Sequence, residues 1–370
     1  MKEKRVIISG GGTGGHLYPS LAVGQKLKEK DPHLHLTYVG TTRSLEKQIS
    51  EHYRIDFIPL RIEGIKGLGI KALKSLLLLP WAFVRSLIIL LRTKPQLVIG
   101  AGAFSSGPIV LLAAWMNIPT LIMEQNIKPG LTNRLLRRWV KKAAVSFESS
   151  LSHFRGKGVF TGNPIREEFY SLPAKQRNSR LTLLIFGGSQ GSHFLNKGVT
   201  DALPLLRNER DSLQIFHQTG EKDLSWVKDS YEKNGYNDAT VDPYFYDMPS
   251  YFQRADLVVS RAGASTIAEL IAARKASVLI PFARATEDHQ VVNARELERI
   301  EGAEVITEEE FTPEGIADII RRFTKNKEEI NRMEMNMERF KRGNAAEKIA
   351  ELCFKLMKKT RSESISEKNI

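Results

Sequence analysis

A β-branched run, a glycine-rich turn and a helical stretch follow one another twice in this chain of 370 residues. The first copy reads VIISGGGTGGH from Val6, and the second reads LLIFGGSQGS from Leu183. A unit of this kind begins a parallel sheet, because the glycine turn lets the helix pack back against the strand that precedes it. Its repetition predicts two doubly wound, Rossmann-like α/β domains facing a cleft.

The strands predicted around these two units are short β-branched runs that alternate with amphipathic stretches. In the N-terminal half they are Arg5–Ser9, His35–Val39, Asp56–Leu60, Gln96–Gly100, Pro119–Met123 and Ala143–Phe147. In the C-terminal half they are Leu181–Phe186, Leu213–His217, Asp256–Ser260 and Ser277–Pro281. The alternation stops near Thr161–Pro164, so we predict one domain over residues 1–163, a second over 164–343, and a hinge near 162–166.

The positive charge of the chain is concentrated in its first part. The net charge is +13, from 55 Lys and Arg against 42 Asp and Glu, and residues 1–150 hold 22 of the basic and 9 of the acidic residues. The remainder is therefore electrically balanced. A basic surface on one part of a protein favours an anionic partner, such as anionic lipid or a phosphorylated substrate. Nucleic acid is the weaker alternative, because the sequence has no aromatic RNA-binding motif and no zinc-finger spacing.

The cysteine content and the short apolar run near the start of the sequence indicate the cellular location. Cys353 is the single cysteine, so no disulfide can form within the chain, which fits a reducing compartment. The apolar run after the basic start is only Val6–Ile8, which is too short for a secretory signal and predicts a first strand instead.

The glycine loops are better suited to an anion than to a nicotinamide cofactor. Gly10, Gly12 and Gly15 spell G-x-G-x-x-G, but the next predicted strand ends in Val39-Gly40-Thr41 without the acidic residue that binds ribose in dinucleotide sites. A helix that starts after such a loop offers unpaired amide N–H groups to a phosphate. A purely structural strand–helix turn is the alternative for each loop. A third loop, residues 100–108, adds hydroxyls at the same edge of the sheet.

The most apolar stretch, residues 65–91, predicts a contact with the membrane surface. No uncharged run in it approaches the roughly 20 residues of a transmembrane helix, and Pro80 is expected to begin a second helix. A stripe at helical spacing is typical of a buried face: Leu73, Leu76, Leu77, Trp81, Val84, Leu87, Ile88 and Leu91. Further apolar residues lie off the stripe, so we expect an interfacial patch with basic residues among it: Leu79, Trp81, Phe83, Lys74 and Arg85. A doubly buried core helix is the alternative.

Several motifs, in order along nearly the whole chain, resemble those of the MurG family of peptidoglycan glycosyltransferases. The three glycine loops of that family correspond to GGTGGH at Gly11–His16, GAFSSGP at Gly102–Pro108 and GGSQG at Gly187–Gly191. The other similar motifs are EQN at Glu124–Asn126, GLTNR at Gly130–Arg134, GNPIR at Gly162–Arg166, RAGASTIAEL at Arg261–Leu270 and HQVVNA at His289–Ala294. Ala103 and Phe104 depart from the family, in which Gly and Tyr are common there.

The resemblance implies a GT-B fold and an inverting transfer of N-acetylglucosamine from UDP-N-acetylglucosamine to a lipid-linked muramyl pentapeptide pyrophosphate. It implies no cofactor and no essential metal. The N-terminal domain would bind the acceptor and the membrane, the C-terminal domain would bind the nucleotide sugar, and residues 344–370 would pack back on the N-terminal domain. The protein would then act as a peripheral enzyme on the cytoplasmic face of the cell membrane.

The resemblance also assigns site residues. Those expected to contact the donor are Thr13, Gly14, Gly15, Asn126, Arg166, Ser189, Phe245, Ala264, Ser265, Thr266, Glu269, His289 and Gln290. Those expected to contact the acceptor are Gly102, Ser105, Ser106, Gly107 and Asn133. Glu269 would accept the two ribose hydroxyls, since a carboxylate has two acceptor oxygens, and Phe245 would lie beside the uracil. His16 is the candidate general base, and the alternative is that it binds a substrate phosphate.

Two other functions stay open at the level of sequence. A related enzyme that glycosylates diacylglycerol would share the donor site and the membrane patch but would differ in the acceptor loops. A non-catalytic protein that senses UDP-sugars would share only the donor site.

Overall fold

The computed structural model describes residues 3–11, 14–42, 46, 55–62, 70–173, 175, 179–283, 288–340 and 343–366, with the backbone only for 14, 70–77 and 359–366. Contacts between Cα atoms divide the chain into two compact units. Unit 1 comprises Met1–Arg166 and Asn344–Ile370, and unit 2 comprises Glu167–Gly343. The boundary predicted from the sequence, after residue 163, lies three residues earlier.

Unit 1 is built on a sheet whose strands are all parallel. Its strands are β1 (Arg5–Ser9), β2 (His35–Gly40), β3 (Asp56–Pro59), β4 (Leu97–Gly100), β5 (Thr120–Glu124), β6 (Lys142–Val145) and β7 (Gly158–Phe160). They lie in the order β3-β2-β1-β4-β5-β6-β7. The helices are α1 (Gly14–Lys30), α2 (Ile70–Thr93), α3 (Gly107–Trp115), α4 (Leu131–Leu136) and, from the C-terminus, the helix Ala345–Ser366.

The β-branched residues of β1 bury both faces of this sheet. Val6 and Ile8 point to one face and pack with α1 and the C-terminal helix, whereas Ile7 points to the other and packs in the cluster that includes α2 and α3. Alternation of this kind follows from the two-residue period of a strand. Burial on both faces explains why the strands read as continuous apolar runs.

The C-terminal helix belongs to the core of unit 1. Its apolar side chains Ile349, Ala350 and Cys353 are fully buried against the face that α1 also covers. At the surface, Nζ of Lys30 on α1 lies 2.5 Å from Oε1 of Glu347.

Two predictions about the apolar stretch are wrong. Pro80 does not begin a second helix, because α2 continues through it from Ile70 to Thr93. The stripe whose spacing is typical of a buried face is instead exposed over its second half at Val84, Leu87, Ile88 and Leu91, and so is Trp81, which the expected membrane patch also included. The buried face of α2 consists of residues such as Ala82, Ser86, Ile89 and Leu90, which lie towards the sheet. Hydrophobic spacing identified the helix correctly, but α2 is apolar almost all round, so spacing alone did not determine which face the core would cover.

Unit 2 repeats the architecture of unit 1. Its strands are β8 (Leu181–Phe186), β9 (Leu213–Gln218), β10 (Thr240–Asp242), β11 (Leu257–Ser260), β12 (Ala276–Leu279) and β13 (Ala303–Val305), all parallel and in the order β10-β9-β8-β11-β12-β13. Its helices are α5 (His193–Ala202), α6 (Leu224–Lys233), α7 (Met248–Arg254), α8 (Ala264–Ala273), α9 (His289–Arg299), α10 (Pro313–Lys325) and α11 (Lys327–Phe340). The C-terminal helix Ala345–Ser366, which belongs to unit 1, is numbered α12.

Three strands were not predicted from the sequence: β7, β10 and β13. Each has three residues and lies at an edge of its sheet. A run of three residues is too short to show a period, so pairing with the neighbouring strand is what defines it.

The strand order fixes where each unit can bind a ligand. In unit 1 the connections run in one direction from β1 to β3 and in the other from β4 onwards, so the order reverses between β1 and β4. In unit 2 the same reversal lies between β8 and β11. Open α/β sheets bind ligands in the crevice at the carboxyl ends of the strands on either side of this reversal. The glycine loops follow these strands.

Candidate functional site

In unit 1 the loop after β1 and the loop after β4 are joined by direct hydrogen bonds. The Ala101 N–H donates to the Ser9 carbonyl at 2.8 Å, and the Ser105 hydroxyl donates to the Gly10 carbonyl at 3.0 Å. Ser106 donates to the Ala103 carbonyl at 2.7 Å, so both serine hydroxyls of the loop after β4 are bonded to backbone. Thr13 lies outside the described residues, and Gly14 and Gly15 form the start of α1.

His16 lies in the first turn of α1, where its imidazole is largely buried beside the loop after β4. Its Nδ1 atom makes no hydrogen bond of ordinary geometry within the described ranges. Burial lowers the pKa of His16 from its ordinary value, and the Ala101 carbonyl and the Gln125 side chain oppose this shift without cancelling it. The positive end of the helix dipole also disfavours an imidazolium. His16 is therefore a neutral imidazole near neutral pH, as a proton acceptor must be.

A buried carboxylate at the end of β5 organises the neighbouring EQN and GLTNR motifs. Glu124 accepts hydrogen bonds from the N–H of Asn126 at 3.0 Å, from the N–H of Gly130 at 3.1 Å and from the Asn133 side chain at 2.8 Å. Burial raises the pKa of Glu124, while these donors act in the opposite direction. No separate role was predicted for Glu124, although its place at the carboxyl end of a strand was a usable signal.

Asn133, which was expected to contact the acceptor, is a buried member of this cluster. Its side chain is 1% exposed, and its amide nitrogen donates to the Met123 carbonyl at 2.9 Å as well as to Glu124. Gly102 lies on this cluster with a φ of +92°, and an added Cβ would come within 3.2 Å of the Asn133 nitrogen. A side chain at Gly102 would therefore disturb the cluster. Gly107 begins α3 nearby.

In unit 2 the loop after β8 is fixed against the turn after β9. Gly191 has a φ of +75°, and an added Cβ would overlap the Thr219 carbonyl oxygen. The loop continues into α5, whose N-terminus is capped by the Ser192 hydroxyl. Ser189, the residue expected to contact phosphate, is exposed at the tip of this loop. The loop therefore presents an exposed hydroxyl on a backbone that packs against the turn after β9.

The N-terminus of α8 lies after the neighbouring strand β11. Its N-cap, Gly263, makes no side-chain capping bond, so the first amide groups of the helix are not satisfied by a capping side chain. The Ser265 hydroxyl is buried and has no hydrogen-bond partner among the residues described. Ala264, Thr266 and Glu269 are all partly exposed on the same helix. This helix start combines N–H donors that have no capping side chain with hydroxyls, which suits a phosphate.

Arg261 connects three segments at the carboxyl edge of this sheet. Its Nε donates to the Ser192 hydroxyl at 3.0 Å and its Nη1 to the Ile280 carbonyl at 3.1 Å, and its Nη2 lies 2.7 Å from Glu308. The guanidinium is also within 5.4 Å of the ring centroids of Phe194 and Phe282. The sequence motif contained Arg261, but nothing in the sequence indicated these partners.

Phe245 does not present its ring as a free surface. The side chain is 2% exposed and stacks on Tyr251 with centroids 3.8 Å apart. Its backbone N–H is bonded at 2.8 Å to Oε1 of Gln218, a residue at the end of β9 to which the sequence analysis gave no role. A contact between Phe245 and the uracil would require this ring to move, or would use the Phe245 carbonyl, because the N–H is already bonded to Gln218.

The other expected donor residues lie as follows. Gln290, on α9, accepts the Phe282 N–H at 3.0 Å, which ties the start of the segment after β12 to α9. His289 is its half-buried neighbour. In unit 1, the Arg166 guanidinium lies 5.8 Å from the Tyr18 ring on α1. Asn126 is half-buried beside Glu124.

Comparison with known proteins places this arrangement in a family. Residues 6–145 match the glycosyltransferase family 28 N-terminal domain, and residues 182–352 match the family 28 C-terminal domain. The UDP-N-acetylglucosamine–N-acetylmuramyl-(pentapeptide) pyrophosphoryl-undecaprenol N-acetylglucosamine transferase of Myxococcus xanthus is 41% identical over 362 residues, which cover 96% of this chain and 94% of that protein. The transferase of the same name from Desulfotalea psychrophila is 39% identical, with 96% and 98% covered.

Solved structures agree with these relatives. MurG of Acinetobacter baumannii superposes with a TM-score of 0.77 at 28% identity, covering 95% of this chain and 99% of that one. A UDP-N-acetylglucosamine 2-epimerase from Neisseria meningitidis has a TM-score of 0.67 at 15% identity, which indicates a common fold alone. Because the two family domains match in order and the transferases align over almost the whole chain, the protein belongs to glycosyltransferase family 28, in the MurG family.

Proposed function

We propose that the chain transfers N-acetylglucosamine from UDP-N-acetylglucosamine to the C4 hydroxyl of the muramyl sugar in undecaprenyl-pyrophosphoryl-MurNAc-pentapeptide, converting lipid I to lipid II. The observation that carries the proposal is alignment over 96% of the chain with transferases named for this reaction. The two glycine loops, which lie at the reversal points of the two sheets, support the proposal. The donor and the acceptor each contain a diphosphate, so each unit needs an anion site.

We assign the donor to unit 2. The free amides of α8, the hydroxyls of Ser265 and Thr266 and the loop bearing Ser189 would hold the diphosphate. Glu269 lies one turn further along α8 and would accept the ribose hydroxyls. Arg166 and Gln290 would contact the diphosphate and the sugar, respectively, as the family resemblance implies. No metal is required by this assignment, since amides at a helix start already complement the leaving diphosphate.

We assign the acceptor and the base to unit 1. In an inverting transfer the acceptor hydroxyl attacks the anomeric carbon while the bond to the UDP oxygen breaks, and UDP leaves with the bonding electrons. The hydroxyl proton passes to a base, for which His16 is the candidate because burial and the helix dipole keep its imidazole neutral. The loop after β4 and the cluster around Glu124 would position the muramyl substrate.

We further propose that the enzyme works as a peripheral protein on the cytoplasmic face of the cell membrane. None of the helices in the described ranges has the length and hydropathy of a membrane-spanning segment. Instead α2 exposes Trp81, Val84 and Leu91. Trp115, which ends α3, and Trp139, which follows α4, are about half exposed, with ring centroids 5.9 Å apart. Neither 70–93 nor 125–147 contains an acidic residue. Apolar and basic side chains together suit an anionic lipid surface.

One assay tests the reaction and separates it from the two alternatives. Labelled UDP-N-acetylglucosamine is incubated with the protein and either lipid-linked muramyl pentapeptide or diacylglycerol. Label in the muramyl lipid alone is the expected result. Label in diacylglycerol would assign the chain to the other lipid glycosyltransferase class, and binding of UDP without any product would favour a sensor.

A further inference from the structure

Gln218 bonds to both sides of the donor site that we assign to unit 2. It is the last residue of β9 and is 1% exposed. Its Nε2 donates to the Gly188 carbonyl in the glycine loop at 2.9 Å, and its Oε1 accepts the Phe245 N–H at 2.8 Å. The two partners lie 30 and 27 residues away in the sequence, on opposite sides of Gln218. One planar amide therefore fixes the distance between the phosphate loop and the segment on the base side.

The orientation of this amide is set by its partners. Gly188 offers a carbonyl, which can only accept, and Phe245 offers an N–H, which can only donate, so Oε1 and Nε2 are not interchangeable. Both ends of the side chain are bonded to backbone, and the residue has almost no access to solvent. Gln218 therefore acts on a ligand through the two segments that it holds.

A second hydrogen-bonded chain supports the turn immediately after Gln218. The Asn196 amide nitrogen donates to the Thr219 carbonyl and to Asp223, each at 2.8 Å. The Asn196 oxygen must then accept from Nε2 of His217 at 3.1 Å, which leaves His217 Nδ1 to accept from the Tyr231 hydroxyl at 3.0 Å. The Thr219 carbonyl held in this way is the group against which Gly191 packs. Gln218 and Thr219, at the end of β9, therefore hold the backbone on both sides of the glycine loop.

We infer that Gln218 is a positioning residue that couples the diphosphate side of the donor site to the uridine side. This inference rests on the proposed binding of a UDP-sugar. It means that the affinity for UDP exceeds that for uridine partly because one amide holds Gly188 and Phe245 in a fixed relation. Loss of the Nε2–H should weaken the phosphate side selectively, and loss of both ends should weaken both.

The test compares Gln218→Glu with Gln218→Met by calorimetric titration with UDP and with uridine at about pH 8, where a carboxyl is expected to be ionised. In Gln218→Glu the carboxylate still accepts the Phe245 N–H but repels the Gly188 carbonyl. We expect the affinity for UDP to fall about tenfold or more, the scale of a lost buried hydrogen bond, with uridine binding nearly unchanged. In Gln218→Met we expect both affinities to fall about tenfold.

Gln214→Met is the matched control. Gln214 lies near the start of the same strand and its Nε2 also donates to a backbone carbonyl, that of Asp238 at 3.0 Å, but Gln214 is only half-buried. It should bind both ligands as the wild type does. Wild-type UDP affinity in Gln218→Glu, or an equal loss of UDP and uridine affinity, would overturn the inference. Failure of the wild-type protein to bind UDP would instead refute the proposed function, so the two failures are distinguishable.

Discussion

The side-chain amide of Asn133 donates a 2.8 Å hydrogen bond to the carboxylate of Glu124, and both residues are at least 97% buried. Neither group can exchange this partner for water without opening the unit. The pair ties the end of β5 to α4, and through the Asn126 and Gly130 amides it also shapes the loop between them. It is the polar centre of the site in unit 1.

Replacing Asn133 with Ala should therefore cost about 2 kcal/mol in the free energy of unfolding, since a buried carboxylate loses a donor. Urea denaturation measures this cost. Asn336→Ala is the control, because Asn336 is half-buried and its one long hydrogen bond, to the Glu301 carbonyl at 3.4 Å, lies at the surface, so this change should alter the stability by less than about 0.5 kcal/mol. Equal stability of the two variants would contradict the role of the pair.

Replacing His16 with Ala should lower turnover about a hundredfold or more, the scale of a lost general base, while the affinity for UDP stays as in the wild type. Burial lowers the pKa of His16, so activity of the wild type should persist as the pH falls to 6.5 and should decline only below it. A pH–rate profile measures this, with exposed His33→Ala as the control. Near-normal turnover of His16→Ala would leave the phosphate-binding alternative.

The exposed face of α2 should carry the membrane contact, rather than the half-buried residues Leu79 and Phe83. Trp81→Glu combined with Leu91→Glu replaces side chains that are 47% and 55% exposed, so folding should be kept while flotation with anionic vesicles is lost. Tyr246→Glu, which changes an exposed aromatic residue of unit 2, should float as the wild type does. Unchanged flotation of the double variant would exclude this face.

His217 should make the protein less stable in acid. Burial lowers its pKa to about 3, so the folded protein keeps the imidazole neutral while the unfolded chain takes up a proton below pH 6.5. The stability is thus fully present above pH 6.5 and falls by about 1.4 kcal/mol per pH unit towards pH 3. In His217→Gln the free energy of unfolding, measured by urea denaturation between pH 3 and pH 6.5, should change less steeply with pH, by the equivalent of one bound proton. This variant should also be less stable than the wild type at neutral pH. An unchanged slope would mean that another group is responsible.

Replacing Gly191 with Ala should displace the glycine loop after β8. Gly191 has a φ of +75°, and the new methyl group would overlap the Thr219 carbonyl. We expect the affinity for UDP to fall about tenfold or more, on the scale of 1–3 kcal/mol for a strained backbone position. Gly130→Ala is the matched control, since an added Cβ there meets nothing within 4 Å. Wild-type binding by Gly191→Ala would show that the loop tolerates a side chain.

Much of the fold could be predicted because it depends on local rules. Alternating burial at Val6, Ile7 and Ile8 requires only the two-residue period of a strand, and the glycine turns after β1 and β8 require only freedom of the backbone. The same rules located His16 and Ser265 at helix starts. These features are encoded within a few consecutive residues, so the sequence determined them by itself.

The tertiary structure decided which groups face one another. The exposed face of α2, the edge strands and the burial of Phe245 all depend on what packs opposite them. The bonds of Gln218 to Gly188 and Phe245, and of Asn133 to Glu124, join residues that no local period relates. Such contacts form only when distant segments converge at the carboxyl edge of a sheet, because the free energy of burying a polar group depends on the partner it meets there.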